Sequence, residues 1–251
     1  MKIGIMDSGI GGLTFLKECL KRLPAHEYLY YADSNNAPYG TKSKEEVYRL
    51  TEAVVEYLVK KGAHIIVLAC NTATSASASQ LRKKYDIPII GMEPALKPAL
   101  AAANNKRVLV TATELTLHQQ KFLDLISTLE AHSQVDKVDL TELVAFAETG
   151  NFDRDTITAF LSSKFANFNL ELYGSVVLGC THFPLFRKYF AEIFPVGTVI
   201  VDGAVGTVNR VKDFVIFDSK IPCTTFFSSG EPLVSGPLFD RVQYIMKMEG
   251  E

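Results

Sequence analysis

Cys70 and Cys180 each follow an apolar run of the same form. The segments Ile66-Val67-Leu68-Ala69-Cys70-Asn71-Thr72 and Val176-Val177-Leu178-Gly179-Cys180-Thr181-His182 share a strand-like run, a small residue, the cysteine and two polar residues. A thiol placed just past a strand and ahead of a helix meets free N–H groups and the positive end of the helix dipole, which favour thiolate. Two such thiols from two similar halves would flank a small ligand and serve as a pair of acid/base groups. The alternative is packing, because free cysteine is among the most buried residue types. Cys19 and Cys223 do not follow an apolar run of this form and read as packing residues. His182, two residues after Cys180, is a further acid/base candidate. With no CxxC pair and no Cys/His cluster at zinc spacing, no metal site is expected.

Other candidates lie nearer the N-terminus. Asp7-Ser8-Gly9-Ile10-Gly11-Gly12 forms a glycine-rich turn after the first apolar run, and its backbone N–H groups are suited to an anion. It is not GxGxxG, and with no Lys-Ser/Thr pair it is not a P-loop, so a carboxylate fits better than a nucleotide. A tight structural turn would use the same glycines. Asp7 is either a helix N-cap or a catalytic acid, and its position alone does not separate the two. Ala37-Pro38-Tyr39-Gly40 makes a loop after Asp33, and Glu148, followed by Thr149-Gly150, reads as a helix-end acid.

These residues need a scaffold, and the pattern supplies one. Strands are expected at Ile3–Met6, Tyr28–Ala32, Ile65–Ala69, Ile87–Gly91, Arg107–Thr111, Ser175–Gly179 and Thr198–Val201. Helices are expected at Leu13–Arg22, Ser43–Lys61 (with Ser43 and Glu46 at capping-box spacing), Thr72–Tyr85, Thr113–Leu129, Asp153–Phe168, Pro184–Phe194 and Val205–Phe214. Such alternation implies an α/β fold with mainly parallel sheets. Ligands in open α/β sheets bind beyond the carboxyl ends of the strands, where Asp7, Asp33, Cys70, Cys180 and Asp202 fall. Pro94, Pro98 and Ala99–Ala103 interrupt the alternation, and a second junction lies near Asp202–Gly206. The expected architecture is therefore two pseudo-symmetric three-layer halves, residues 1–94 plus 206–251 and residues 95–205. The tail, marked by Ser228-Ser229-Gly230 and Ser235-Gly236-Pro237, would return to the first half.

Composition narrows the function classes. The 26 basic and 28 acidic residues leave a net charge of −2, which argues against nucleic-acid or anionic-membrane binding by a basic surface. No apolar run approaches a membrane span, and Met1–Asp7 meets an acid too early for a signal peptide. A cytoplasmic protein with reduced thiols is expected.

Taken together, Asp7-Ser8-Gly9 through Gly12, Pro38-Tyr39-Gly40, Ala69-Cys70-Asn71-Thr72-Ala73 and Gly179-Cys180-Thr181-His182 resemble, in order and approximate spacing, the motifs of bacterial glutamate racemases of the aspartate/glutamate racemase family. The resemblance runs from Met1 to about Asp202 and is loose beyond Gly206. It implies interconversion of L- and D-glutamate without a cofactor, a supply of D-glutamate for peptidoglycan and hence for cell wall and cell shape, and a homodimer. It further implies that Cys70 and Cys180 are the two acid/base residues, with Asp7 assisting Cys70, His182 assisting Cys180, and Glu148 orienting His182. Ser8, Tyr39, Gly40, Asn71, Thr72, Thr113, Thr116 and Thr181, with Asp7 and His182, would hold the substrate's carboxylates and ammonium.

This chain departs from the family pattern at Ala112, Gln119, Leu140-Thr141 and Phe183, and none of these is a proposed acid/base. Two rival expectations stand beside this one. The first is a racemase for aspartate or another small amino acid. The second is a catalytically silent binding protein, which would have no need of a thiol on each face.

Overall fold

A computed structural model describes residues 1–92, 95–216 and 223–248. The first strand, β1 (Lys2–Asp7), is buried from Ile3 to Asp7, as a parallel strand covered on both faces must be. It pairs in parallel with β2 (Glu27–Ala32) and β3 (Ile65–Leu68), and β3 continues to β4 (Ile89–Gly91). Two strands of the tail extend this sheet. The first, β9 (Cys223–Ser228), runs parallel to β2, and β10 (Glu231–Pro232) turns back antiparallel to β9. Among the described residues the order is therefore β10-β9-β2-β1-β3-β4. A second sheet has the order β6-β5-β7-β8, all parallel, with β5 (Arg107–Ala112), β6 (Val135–Asp139), β7 (Tyr173–Leu178) and β8 (Val199–Asp202).

Helices connect the parallel strands, as parallel pairing requires. In the first sheet these are α1 (Leu13–Arg22), α2 (Lys44–Lys60) and α3 (Asn71–Lys84). The spacing of Ser43 and Glu46 is used as a cap: Ser43 Oγ accepts from Glu46 N at 3.2 Å. Next come α4 (Leu96–Ala102), α5 (Glu114–His118), α6 (Gln120–Thr128), α7 (Thr141–Thr149) and α8 (Arg154–Phe165). The last three are α9 (Arg187–Ile193), α10 (Ala204–Lys212) and α11 (Pro237–Lys247). One core cluster joins β1 (Ile3, Ile5) to β7 (Val176, Leu178), α10 (Val208, Val211) and α11 (Val242, Ile245).

Several elements differ from the sequence reading, each for a local reason. The strand β6 reads Val-Asp-Lys-Val-Asp, too polar to stand out, because it is an edge strand in which only Val135 and Val138 are buried. Alanine-rich 96–102 is a helix despite Pro98, which falls in its first turn, where no intrahelical N–H donor is needed. The neighbouring Pro94 lies outside the described residues. The helix expected over Thr113–Leu129 is two, because Gln119 is extended (ψ 134°). On α5, Leu115 packs with the β3 side and Leu117 with the second sheet, whereas Phe122 and Ile126 of α6 face the second sheet alone. The stretch expected as a helix from Pro184 opens as a 3-10 turn, Phe183–Phe186. Gly236-Pro237, read as a turn, starts α11 with proline in its first turn, a favoured site.

The second sheet is clamped at its edge. Arg107 grips Asp136 through two bonds (Nε to Oδ2 at 2.6 Å, Nη2 to Oδ1 at 2.7 Å), and Tyr173 Oη donates to Asp136 Oδ2 at 2.6 Å. The Arg107 hydrogen bonds hold the Asp136 carboxyl below its usual 3.8. A depressed carboxyl contributes stability above the unfolded value and loses it as pH falls through the folded one. Asp136→Asn is therefore expected to cost about 1 kcal/mol at neutral pH, a modest figure because the pair is partly solvated. It should also flatten the fall of Tm with acidification below pH 3.8, measured by thermal unfolding across pH.

Candidate active site

The glycine-rich turn after β1 is where the two sheets meet. Asp7, fully buried at the end of β1, accepts from its own turn (Gly9 N to Oδ1, 3.0 Å) and from the other sheet (Thr181 Oγ1 to Oδ2, 2.9 Å). It is not a helix cap: Gly12 holds that position on α1, without a side-chain bond. Burial raises the Asp7 carboxyl, opposed by the charge of His182 and by the Gly9 and Thr181 hydrogen bonds.

The next two N–H groups of the turn face the second half. Ile10 N donates to Glu148 Oε1 at 2.8 Å, and Gly11 N lies 3.2 Å from His182 Nε2. The carboxylate held by this turn is thus the chain's own Glu148. Glycine is required by close approach, since a Cβ at Gly9 would stand 1.7 Å from Glu148 Oε1 and one at Gly11 2.4 Å from His182 Nδ1. Thr14 Oγ1 donates to Gly11 O or Thr181 O (2.9 and 3.0 Å), and Tyr30 Oη donates to Gly9 O at 2.7 Å. Neither Thr14 nor Tyr30 was among the sequence candidates, because the Thr181 and Gly9 carbonyls they reach are distant in sequence.

Cys180 and His182 follow β7, and Glu148 ends α7. His182 Nε2 stands 2.6 Å from Glu148 Oε1, and Nδ1 stands 3.7 Å from Cys180 Sγ. The shorter contact is to a carboxylate, so the ring places an N–H there and leaves Nδ1 for the sulfur. The imidazole is 2% exposed and would favour the neutral form on burial alone. Hydrogen bonds and charges of Cys180 and Glu148 outweigh burial and hold it well above its usual value. Glu148 is likewise opposed by burial, yet His182, the Ile10 N–H and the charge of Arg241 bring its carboxyl below the ordinary range.

On the first sheet, Cys70 caps α3, with Sγ accepting from Ala73 N at 3.4 Å, and Ser8 Oγ lies 3.7 Å from the same sulfur. The helix start was expected to favour thiolate. Instead, burial pushes the Cys70 thiol up to about 12, aided by the charges of Asp7 and Cys180 and only partly offset by Ala73 N–H and Ser8. At neutral pH Cys70 is a thiol.

The remaining candidates line the same region. Thr72, Thr113 and Thr116 form a triangle of hydroxyls with Oγ1 separations of 3.0 to 3.2 Å, joining α3 to α5. Gly40 packs on Thr113. Asn71 is buried, and its Oδ1 has no hydrogen-bond partner. Tyr39 Oη donates to Asp33 Oδ2 at 2.6 Å, so Asp33 anchors the tyrosine loop, a role sequence reasoning missed. Asp202 takes no part. Although it too ends a strand, it pairs with Arg187 and accepts from Ala204 N. Among the described residues no group of three or more His, Cys, Asp or Glu side chains is arranged to hold a metal ion, and no helix is long and apolar enough to cross a membrane.

The architecture and sequence have clear relatives. Residues 3–211 match the model of the Asp/Glu/Hydantoin racemase family. A glutamate racemase of Halothermothrix orenii is 48% identical over 86% of this chain and 85% of its own length. Glutamate racemase 2 of Bacillus subtilis is 40% identical over the whole chain and 97% of its own. The crystal structure of Escherichia coli glutamate racemase, in complex with L-glutamate and an activator, superposes with a TM-score of 0.84 at 28% identity, covering 98% of this chain and 94% of that one. With the family model spanning both sheets and the relatives covering nearly all of the chain, this protein belongs to the Asp/Glu/Hydantoin racemase family.

Proposed function

We propose that the chain interconverts L- and D-glutamate, with Cys70 and Cys180 exchanging protons with the α-carbon from opposite faces. The observation that carries this reading is the pair of buried thiols at corresponding strand ends of the two sheets. They are close enough for a charge on Cys180 to raise Cys70, yet each has its own partners. The names of the relatives support glutamate as the substrate.

An α-proton is removed without an electron sink only if the site is dry, stabilises the carbanion and aligns the base. Here Cys70, a neutral thiol at rest, is the proton donor, and a thiolate at Cys180 is the acceptor, held by the His182 imidazolium. Cys180 Sγ takes the α-proton, and the electron pair of the broken C–H bond spreads into the α-carboxylate. The Cys70 S–H then delivers its proton to the opposite face, leaving Cys70 as thiolate and Cys180 as thiol. The reverse turnover uses the same groups in exchanged roles. The Thr72, Thr113 and Thr116 hydroxyls, with Ser8 and Thr181, are suited to donate to the carboxylates. The unpaired Asn71 Oδ1 is suited to accept from the ammonium, because a buried acceptor without a partner is costly. Tyr39 and Gly40 form one wall.

The same reading includes two α/β halves, residues 1–94 plus 206–251 and 95–205, closing on the substrate. It also includes a homodimer, a cytoplasmic location, independence of added cofactor and a supply of D-glutamate to peptidoglycan synthesis.

In deuterated buffer without pyridoxal phosphate, wild type should racemise L-glutamate and incorporate α-deuterium. Cys70→Ser and Cys180→Ser should each lose at least ~100-fold in racemisation. Faster turnover of aspartate would replace the substrate, and the absence of exchange with either amino acid would leave a binding role. Asp7→Asn removes the anion beside Cys70 and should lower its thiol from about 12. The expected drop is about one unit, read from the pH dependence of Cys70 alkylation, and an unchanged profile would remove Asp7 as its electrostatic partner.

A further inference from the structure

Glu148 occupies an unfavourable place for an acid. It lies in the last turn of α7, where unpaired carbonyls carry partial negative charge and a cation is preferred. The helix has no basic residue of its own in that turn. Gly150 closes it in left-handed backbone (φ 75°), and its cap bonds run from Gly150 N to Ala147 O and from Asn151 N to Phe146 O. The Glu148 carbonyl is reached from elsewhere, by Arg241 Nη1 of α11. The stem of Arg241 crosses Gly150, with Cδ 3.4 Å from the position a Cβ would take there.

The helix that carries Arg241 is fixed independently. Val242 and Ile245 are buried in the shared core. Lys17 of α1 donates to the C-terminal carbonyls of Ile245 and Met248. The tail, where the sequence likeness is loosest, thus brings a cation to the end of α7.

We propose that Arg241 is a positioning residue for the Cys180 side of the site, capping the Glu148 end of α7 so that this carboxylate stays ionised and aimed at His182. The inference rests on the racemase reading given above. The charged and titratable groups facing Glu148 are His182 and, behind it, Cys180 from the β7 side, Asp7 at the end of β1, Tyr30 of β2 and Arg241 of α11. Asp7 opposes ionisation of Glu148, while His182 and Arg241 favour it. Removal of the guanidinium therefore raises the Glu148 carboxyl, and the loss of activity on acidification begins at higher pH.

The test compares Arg241→Gln, Arg241→Lys and Lys17→Gln in the full chain. Arg241→Gln should lose about tenfold in kcat with KM within about twofold, and the acid limb of kcat/KM should move up by about one unit. Arg241→Lys restores the charge without the fork and should return the limb and most of kcat. Lys17→Gln cuts the other tether of α11 and should lower Tm without moving the limb. A readout independent of turnover is the pH titration of the His182 ring nitrogens by NMR, assigned with His182→Gln. Its low-pH inflection, which reports loss of the Glu148 charge, should move up in Arg241→Gln alone. An unmoved inflection and limb in Arg241→Gln, or an Arg241→Lys variant as impaired as Arg241→Gln, overturns the proposal. A wild type inactive on glutamate whose His182 inflection still moves in Arg241→Gln retires the racemase reading and supports the tether.

Discussion

One carboxylate oxygen, Glu148 Oε1, accepts from the Ile10 amide in the turn after β1 and meets the His182 ring after β7. The three groups come from separate parts of the chain, and the oxygen between them sets how the two sheets face each other at the site. The turn contains glycine because the carboxylate and imidazole press against its backbone. Asp7 and Thr181 make a second bond across the same seam, and Thr14 a third. If the seam opened, Glu148 would lose the Ile10 amide and Asp7 would lose Thr181 together.

The seam also makes the two thiols unequal. Cys70 has a helix cap, a serine hydroxyl and a nearby carboxylate, all in a buried pocket, and rests protonated. Cys180 has an imidazole whose far nitrogen is committed to a carboxylate. Enantiomers have equal free energy, so racemisation needs no bias between reactant and product. It needs one group ready to give a proton while the other is ready to take one. In the two-thiol reading proposed above, unequal surroundings for two identical side chains supply that condition.

Burying this many polar groups is costly unless each is satisfied, since a buried charge without partners is disfavoured by several kcal/mol. Here Asp7, Glu148 and His182 hydrogen-bond to one another's loops, and Thr72, Thr113 and Thr116 satisfy one another. Such a network adds little to net stability but holds each group in one geometry. Asn71 Oδ1, on α3 directly after Cys70, is a buried acceptor left without a partner.

The sequence by itself determined the fold class and the candidate residues. Short continuous apolar runs alternating with amphipathic segments specify parallel strands and connecting helices, and chemistry gathers at strand ends in such sheets, so Asp7, Cys70 and Cys180 were legible from local pattern. The edge strand β6 and the tail strand β9 were not, because their stability comes from pairing with β5 and β2 rather than from their own apolar content. Tertiary structure alone decided which strand ends matter: Asp202 is drawn into an ion pair with Arg187, while Asp33 anchors Tyr39. It decided that the glycine turn holds Glu148, and that burial and the Asp7 charge outweigh the helix start at Cys70. It also decided that Arg241 reaches the end of α7. Each of these depends on distances between segments far apart along the chain and on the water they exclude, and neither quantity is carried by spacing in sequence.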